Sequence, residues 1–226
     1  MGGVAVSVGE RLEAVRQRIA RALATAGREP GSVRLVAVSK RHPLEAIREA
    51  YAAGQRVFGE SYAQELEAKA SALSDLEIEW RFIGHLQRNK AKVVVAAGAG
   101  VDSVDSRRLA TALHQRASDA GAVLGVRVQV NVAGEHQKAG VAPAELDALI
   151  AHVRALGSLR LEGLMTIPPA GEPEDARPYF RALASLADRY ELPVRSMGMS
   201  GDLEVAVAEG ATEVRVGTAV FGPRPA

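Results

Sequence analysis

Lys40 is the residue whose type and position most directly suggest chemistry. It follows a short apolar run, Leu-Val-Ala-Val at 35–38, so its stem would lie against apolar surroundings. Desolvation there disfavours the charged ammonium, and a neutral amine is a nucleophile toward aldehydes. Lys40 is therefore a candidate Schiff-base lysine. The alternative is a lysine that extends from a strand end into solvent.

Lysine is otherwise scarce in this chain. Of 28 basic residues among 226, only five are lysine. Lys69, Lys90 and Lys92 fall in helical or loop patterns, for which we expect solvated side chains. Lys138 is the only other lysine in a loop that follows a predicted strand.

Two late segments, 196–203 and 214–219, could bind an anion. Each combines glycine with hydroxyl residues and opens onto a stretch compatible with a helix. Ser200 and Thr218 would donate from their hydroxyls, while Gly217 would let the backbone approach a phosphate closely. The alternative is ordinary turn and N-cap chemistry, with Ser200 or Asp202 as the helix cap.

Arg215 lies inside the last predicted strand, between two valines. Alternation along the strand places it on the face opposite to both neighbours. One interpretation is an exposed side chain. If Arg215 instead faces the site, its guanidinium could donate to a ring nitrogen of a ligand and keep that nitrogen unprotonated.

These residues must be positioned by alternating strands and helices. An amphipathic helix with Leu12, Val15, Ile19 and Leu23 on one face comes first. Eight β-branched runs follow, separated by segments long enough for crossover helices. The predicted strands are 34–39, 56–59, 79–83, 101–104, 124–130, 161–164, 194–196 and 213–216.

Eight such units favour a closed (β/α)₈ barrel, for which 226 residues suffice. An open doubly wound sheet is the alternative, but no glycine-rich fingerprint follows the first strand. No linker or low-complexity tract divides the chain, so we expect one domain over residues 1–226. The carboxyl ends of barrel strands meet at one mouth, which would bring together Lys40, Ser61, Ser200, Gly217 and Thr218.

Composition excludes several classes of function. The net charge of +1 and an aromatic content of 4% argue against nucleic-acid binding. Without cysteine there are no disulfides and no thiolate sites, and the five histidines lack metal-ligand spacing. No apolar stretch approaches the roughly 20 residues that span a membrane. We expect a cytoplasmic protein with no metal site.

Six motifs occur together in the order of a known family. They are Ala-Val-Ser-Lys at 37–40, Val-Phe-Gly-Glu at 57–60, Phe-Ile-Gly-His-Leu-Gln at 82–87, Gly-Leu-Met at 163–165, Ser-Met-Gly-Met-Ser at 196–200 and Val-Arg-Val-Gly-Thr-Ala-Val-Phe-Gly at 214–222. From about Val33 to Gly222, the chain resembles the pyridoxal phosphate homeostasis proteins.

The resemblance implies a single (β/α)₈ barrel similar to the alanine racemase N-terminal domain, of PLP fold-type III. It also implies pyridoxal 5′-phosphate (PLP) bound as an internal aldimine. The residues that match the family's binding positions are Lys40 for the aldimine, Ser200, Gly217 and Thr218 for the phosphate, Arg215 for the pyridine nitrogen, and Ser61 beside the ring.

Two positions depart from the family's pattern. Ser61 stands where many relatives carry asparagine, so a contact between a side-chain amide and the cofactor would be lost. Gly201 stands where many relatives carry aspartate. This gives a more permissive backbone and fewer negative charges near the phosphate.

The resemblance implies a non-catalytic monomer that buffers PLP or delivers it to apo-enzymes. An arginine facing the ring would weaken the electron sink that PLP catalysis needs. Lys138 could assist release as a second amine. The alternatives are a monomeric amino-acid racemase or a related PLP enzyme, and a phosphosugar enzyme that uses no PLP.

Overall fold

Eight parallel strands close into a barrel in the computed structural model, which describes residues 6–135 and 138–223. Each strand pairs with the next along the chain, and the last pairs with the first through Leu35 and Val214. The predicted (β/α)₈ barrel is thus confirmed. The strands are β1 (Arg34–Val38), β2 (Val57–Glu60), β3 (Glu79–Phe82), β4 (Gly100–Val104), β5 (Leu124–Gln129), β6 (Leu159–Met165), β7 (Val194–Ser196) and β8 (Glu213–Val216).

Helices cover the outside of the barrel and join its strands. All the predicted helical segments are present, with ends shifted by a few residues. They are α1 (Val8–Thr25), α2 (Leu44–Ala52), α3 (Ala63–Ala72), α4 (Ala91–Ala96), α5 (Arg107–Asp119), α6 (Leu146–Arg154), α7 (Arg177–Arg189) and α8 (Leu203–Ala208). A further short helix, α9 (Thr218–Phe221), follows Gly217, where the sequence is compatible with a helix although four residues carry too little periodicity to set its bounds.

The N-terminal helix α1 belongs to the outer ring. Ser7 and Glu10 cap its first turn reciprocally, which satisfies backbone N–H groups that have no partner within the helix. Its apolar face is buried against α2, α8 and α9. Helix α1 therefore lies between the first and last helices of the barrel. None of the helices in the described segments is long and apolar enough to cross a membrane.

The lower half of the barrel interior holds charged side chains where branched apolar residues are usual. Arg127 on β5 is 2% exposed, lies 2.6 Å from Oδ2 of Asp102 on β4 and also contacts Glu213 on β8. Arg81 on β3 donates to Asp102 at 2.9 Å and to Glu162 on β6 at 3.1 Å. We call these five residues the barrel network. Each buried arginine faces acids, because an unpaired buried charge costs several kcal/mol.

Glycines in two strands make room for the barrel network. A Cβ atom at Gly100 would overlap the Arg81 guanidinium, and one at Gly125 would overlap the Glu162 carboxylate. Substitution of either glycine would therefore displace a charged group that has no other place in the interior. The charged interior and these two glycines depend on each other.

Candidate functional site

A cavity of about 310 Å³ opens among the carboxyl ends of the strands. It contains a primary amine, three hydroxyls and a guanidinium, and its remaining walls are largely apolar. All six predicted binding residues line it: Lys40, Ser61, Ser200, Arg215, Gly217 and Thr218. Val38, Ile83, Ile167, Met199 and Gly201 complete the lining. Its size falls within the usual range for small-molecule sites.

Lys40 enters this cavity because side chains alternate along the extended chain, so that Lys40 shares the inner face with Val38. Val38 and Lys40 both line the cavity, whereas Ser39 between them faces outward and donates to Oε1 of Glu60 at 2.7 Å. The chain then reverses through Arg41, whose φ of 62° lies in the left-handed region. We call residues 39–42 the lysine turn. It presents the amine of Lys40 to the interior of the mouth.

Arg215 forms part of the floor of the cavity and is fixed by three hydrogen bonds. Nη1 donates to the carbonyl of Ser196 at 2.7 Å and to its hydroxyl at 2.8 Å, and Nη2 donates to the carbonyl of Thr166 at 2.8 Å. Burial lowers the pKa of the Arg215 guanidinium, but an arginine stays charged at neutral pH. The alternative of an exposed Arg215 is wrong, because its strand face points into the barrel.

The hydroxyl of Ser200 lies in the loop after β7 and that of Thr218 at the first residue of α9, both at the edge of the same cavity. Gly217 passes close to β1, and a Cβ atom there would lie 3.3 Å from the carbonyl oxygen of Val38. Asp202 accepts from the backbone of Met199 at 2.6 Å, which folds the Ser200 loop into a tight turn. Of the alternative to anion binding, the turn is present, whereas Asp202 at the N-cap of α8 makes no capping hydrogen bond through its side chain.

Ser61 and Gly201 show what the two departures from the family's pattern change. Gly84 packs against Ser61 so closely that a Cβ atom at Gly84 would overlap the Ser61 backbone, and this contact holds Ser61 at the rim. A Cβ atom at Gly201 would meet no other atom within 4 Å. A side chain at position 201 would therefore stand in open space.

The chemistry of this donor set fits PLP. A primary amine can react with its aldehyde. Two hydroxyls and the Gly217 backbone can bind its phosphate, and Arg215 can donate a hydrogen bond to its ring nitrogen. Val38, Ile83 and Met199 supply apolar walls for the ring faces. No group of at least three histidine, aspartate or glutamate residues in the described segments could hold a metal ion.

Lys69 contradicts the expectation of a solvated helical lysine. Its side chain is only 8% exposed, and Nζ donates to the carbonyl of Ser39 at 2.8 Å, to Glu60 at 2.8 Å and to Glu65 at 3.0 Å. The prediction was wrong because it considered residue type rather than spacing. Lys69 lies three residues after buried Leu66 and four before buried Leu73, so periodicity alone placed it on the buried face.

Lys138 lies beside the cavity of Lys40 and not in it. Its Nζ atom is 2.7 Å from Oε2 of Glu135 and donates to the carbonyl of Pro168 at 3.0 Å. It lines a second cavity of about 490 Å³ that shares Ile167, Met199 and Gly201 with the first. Its neighbours His136 and Gln137 lie outside the described residues.

Known proteins are similar to this chain in sequence and in fold. The family described as alanine racemase, N-terminal domain, matches residues 11–225. The pyridoxal phosphate homeostasis protein of Aquifex aeolicus is 46% identical, over 95% of this chain and 97% of its own length. That of Escherichia coli K12 is 42% identical, over 96% of this chain and 97% of its own length.

Solved structures agree with these relationships. PipY of Synechococcus elongatus PCC7942, solved with PLP bound, superposes with a TM-score of 0.85 at 40% identity, covering 96% of this chain and all of PipY. Alanine racemase of Corynebacterium glutamicum reaches a TM-score of 0.69 at 22% identity. That match covers 95% of this chain but 61% of the racemase, and it shows the shared barrel alone. The chain belongs to the alanine racemase N-terminal domain family and, within it, to the pyridoxal phosphate homeostasis proteins.

Proposed function

We propose that this chain binds PLP in the cavity of Lys40 and serves PLP homeostasis by holding and releasing the cofactor. The observation that carries the proposal is the convergence of an amine, two hydroxyl-bearing loops and a buried guanidinium on one small cavity. The relatives named as homeostasis proteins and the PLP-bound PipY support it.

Each residue that lines the cavity has its own chemical role in binding PLP. PLP supplies an aldehyde, to which a primary amine adds reversibly: a C=N bond forms and one water leaves. Lys40 supplies that amine. Ser200, Gly217 and Thr218 bind the phosphate and so keep the aldehyde within reach. Ser61 contacts the ring at the rim.

Arg215 makes a carrier a better proposal than a catalyst. Its three hydrogen bonds hold a fixed positive charge where the ring nitrogen would lie, and that charge opposes protonation of the nitrogen. An unprotonated ring is a weak electron sink for amino-acid chemistry. A racemase also needs a second base, and the described residues that line the cavity include no histidine, carboxylate, tyrosine or second lysine beside Lys40.

Visible absorption tests the proposal directly. The purified full chain, incubated with PLP and passed through gel filtration, should retain the visible band of the lysine-bound cofactor. Lys40→Ala should lose that band, and so should Lys40→Arg, because a guanidinium is never a free amine. Lys92→Ala removes an exposed lysine and should keep it. Failure of the wild-type chain to retain the band would favour a phosphosugar enzyme.

Amino-acid turnover distinguishes the carrier from a PLP enzyme. The loaded chain should show no robust racemisation or other turnover of a panel of amino acids. Robust turnover that disappears with Lys40→Ala would overturn the carrier and support the racemase alternative.

The proposed cellular role includes the recipients of PLP, the location of the chain and its oligomeric state. We propose a monomeric, cytoplasmic carrier that passes PLP to apo-enzymes. Mixing the loaded chain with the apo form of a PLP enzyme should restore activity at a free PLP concentration too low to do so alone. Sedimentation of the loaded chain should give the mass of one copy.

A further inference from the structure

The lysine turn is held from outside the barrel by three charged residues that the proposed function does not use. They are Glu60 at the end of β2, and Glu65 and Lys69 on α3, which we call the outer cluster. The side chains of Glu60 and Lys69 are 0% and 8% exposed. The outer cluster lies on the outer face of β1 and β2, opposite to the cavity.

Lys69 satisfies all three of its ammonium protons within this cluster. They are donated to the carbonyl of Ser39 and to the two glutamates, at 2.8 to 3.0 Å. An ammonium that is this deeply buried destabilises a fold unless it is fully paired, and here it also neutralises the buried Glu60 carboxylate. Neutralising Glu60 would not require a bond to the backbone, yet Lys69 also donates to the carbonyl of the residue before Lys40.

The outer cluster contacts the backbone on both sides of Lys40. On one side, Lys69 donates to the Ser39 carbonyl, and the Ser39 hydroxyl donates to Glu60 at 2.7 Å. On the other side, the backbone N–H of Arg41 donates to Glu65 at 2.8 Å. The N–H of residue 42 adds a hydrogen bond to the Ser39 carbonyl at 3.0 Å. Residue 40 is thus clamped between two anchored neighbours.

The clamp holds a backbone conformation that the chain would not adopt unaided. Arg41 has a φ of 62°, and a residue other than glycine in the left-handed region costs of order 1 kcal/mol or more. Glu65 accepts the N–H of this residue, so the hydrogen bond directly stabilises the reversal. Without it the turn would relax, and Lys40 would move relative to Ser200 and Thr218.

We propose that Lys69, with Glu60 and Glu65, is a positioning residue that sets where the amine of Lys40 stands over a bound aldehyde. This inference rests on the proposed function. The outer cluster touches neither the cavity nor its ligand and acts only through the lysine turn. It determines how fast the C=N bond forms, not how tightly the phosphate is bound.

Two ligands, PLP and pyridoxine 5′-phosphate, distinguish an effect on the rate of C=N bond formation from an effect on ligand affinity. Pyridoxine 5′-phosphate has an alcohol in place of the aldehyde, so its affinity reports the cavity without the C=N bond. Lys69→Met should bind it within about twofold of the wild-type affinity. With PLP, the same variant should develop the visible band about 10- to 100-fold more slowly, because a displacement of about 1 Å costs this much in rate.

Matched variants make the test decisive. Lys92→Met makes the same change at an exposed lysine of α4 and should behave as wild type. If Lys69→Met does not fold, Glu65→Gln serves instead. It retains an oxygen acceptor but removes the charge that faces Arg41 and Lys69, and it should slow band formation in the same direction.

Each outcome has one meaning. A wild-type chain without the visible band would refute the proposed function. A wild-type chain with the band, and a folded Lys69→Met variant that forms it at the wild-type rate, would refute the positioning role alone. Equal losses in pyridoxine 5′-phosphate affinity and in rate would show a general structural role and would also overturn it.

Discussion

The Nη1 atom of Arg215 lies 2.8 Å from the hydroxyl oxygen of Ser196. The same hydroxyl donates to Oε1 of Glu213 at 2.9 Å. A serine proton thus links the guanidinium on the floor of the cavity to the barrel network beneath it. The orientation of Arg215 therefore depends on charges that a ligand would never touch.

Ser196→Ala should destabilise the fold by about 1–3 kcal/mol, because it leaves the buried Glu213 carboxylate without its hydroxyl donor. Urea unfolding at neutral pH measures this loss. Ser118→Ala, at an exposed helical position, should change the stability by less than about 0.5 kcal/mol. Equal effects of the two substitutions would contradict the role of the Ser196 hydroxyl.

Arg127→Met should be far more damaging. It leaves Asp102 and Glu213 buried without their shared cation, which costs about 3–5 kcal/mol. Arg116→Met is the matched control, since Arg116 pairs with Asp119 in solvent at 3.6 Å and such pairs contribute at most about 1 kcal/mol. Thermal unfolding of both variants checks the difference. A small loss for Arg127→Met would mean that the buried acids take up protons or rearrange.

Glu65→Gln should reveal a pH-dependent contribution of the outer cluster. Burial alone would raise the pKa of the Glu65 carboxyl, but the Arg41 N–H and Lys69 lower it below its ordinary value, while Glu60 lies nearby as a second acid. A carboxyl with a lowered folded pKa stabilises the fold above its unfolded pKa of about 4.3, and this stabilisation is lost as the pH falls through the folded pKa.

The measurement compares urea unfolding of wild type and Glu65→Gln from about pH 7 to about pH 3. The wild type should be more stable at the upper end, and the gap should close toward the lower end, where a protonated glutamate resembles glutamine. A gap that stays constant with pH would show that the Glu65 charge contributes nothing.

Ser61→Asn should tighten the binding of PLP. The longer amide could reach a ring substituent directly, where a serine hydroxyl needs a bridging water. One added hydrogen bond of about 1 kcal/mol corresponds to about fivefold in affinity. Equilibrium dialysis against PLP measures the change, with Ser118→Asn as the control. Weaker binding would show that the rim, held by Gly84, has no room for the amide.

Local patterns predicted most of the fold. Strands β7 and β8 have the predicted bounds without a shift. Lys40 and Thr218 could be placed in one cavity because the carboxyl ends of barrel strands always meet at one mouth. That rule needs no knowledge of side-chain contacts.

Long-range complementarity was not visible in the sequence. Arg215 could be exposed or buried until its surroundings were known, since its partners Ser196 and Thr166 come from other strand ends. The spacing of Lys69 indicates burial, but its acceptors after β1, at the end of β2 and on its own helix could not be identified from the sequence. The burial of a charged residue can be explained only when its oppositely charged partner on a distant strand is known.

The pairing of β1 with β8 has a consequence for synthesis of the protein. Lys40 is made on the ribosome well before Arg215, Gly217 and Thr218. A nascent chain therefore carries its reactive amine long before it can hold a phosphate. Loading with PLP would have to wait until β8 pairs with β1, so a loaded molecule would be one whose barrel has closed.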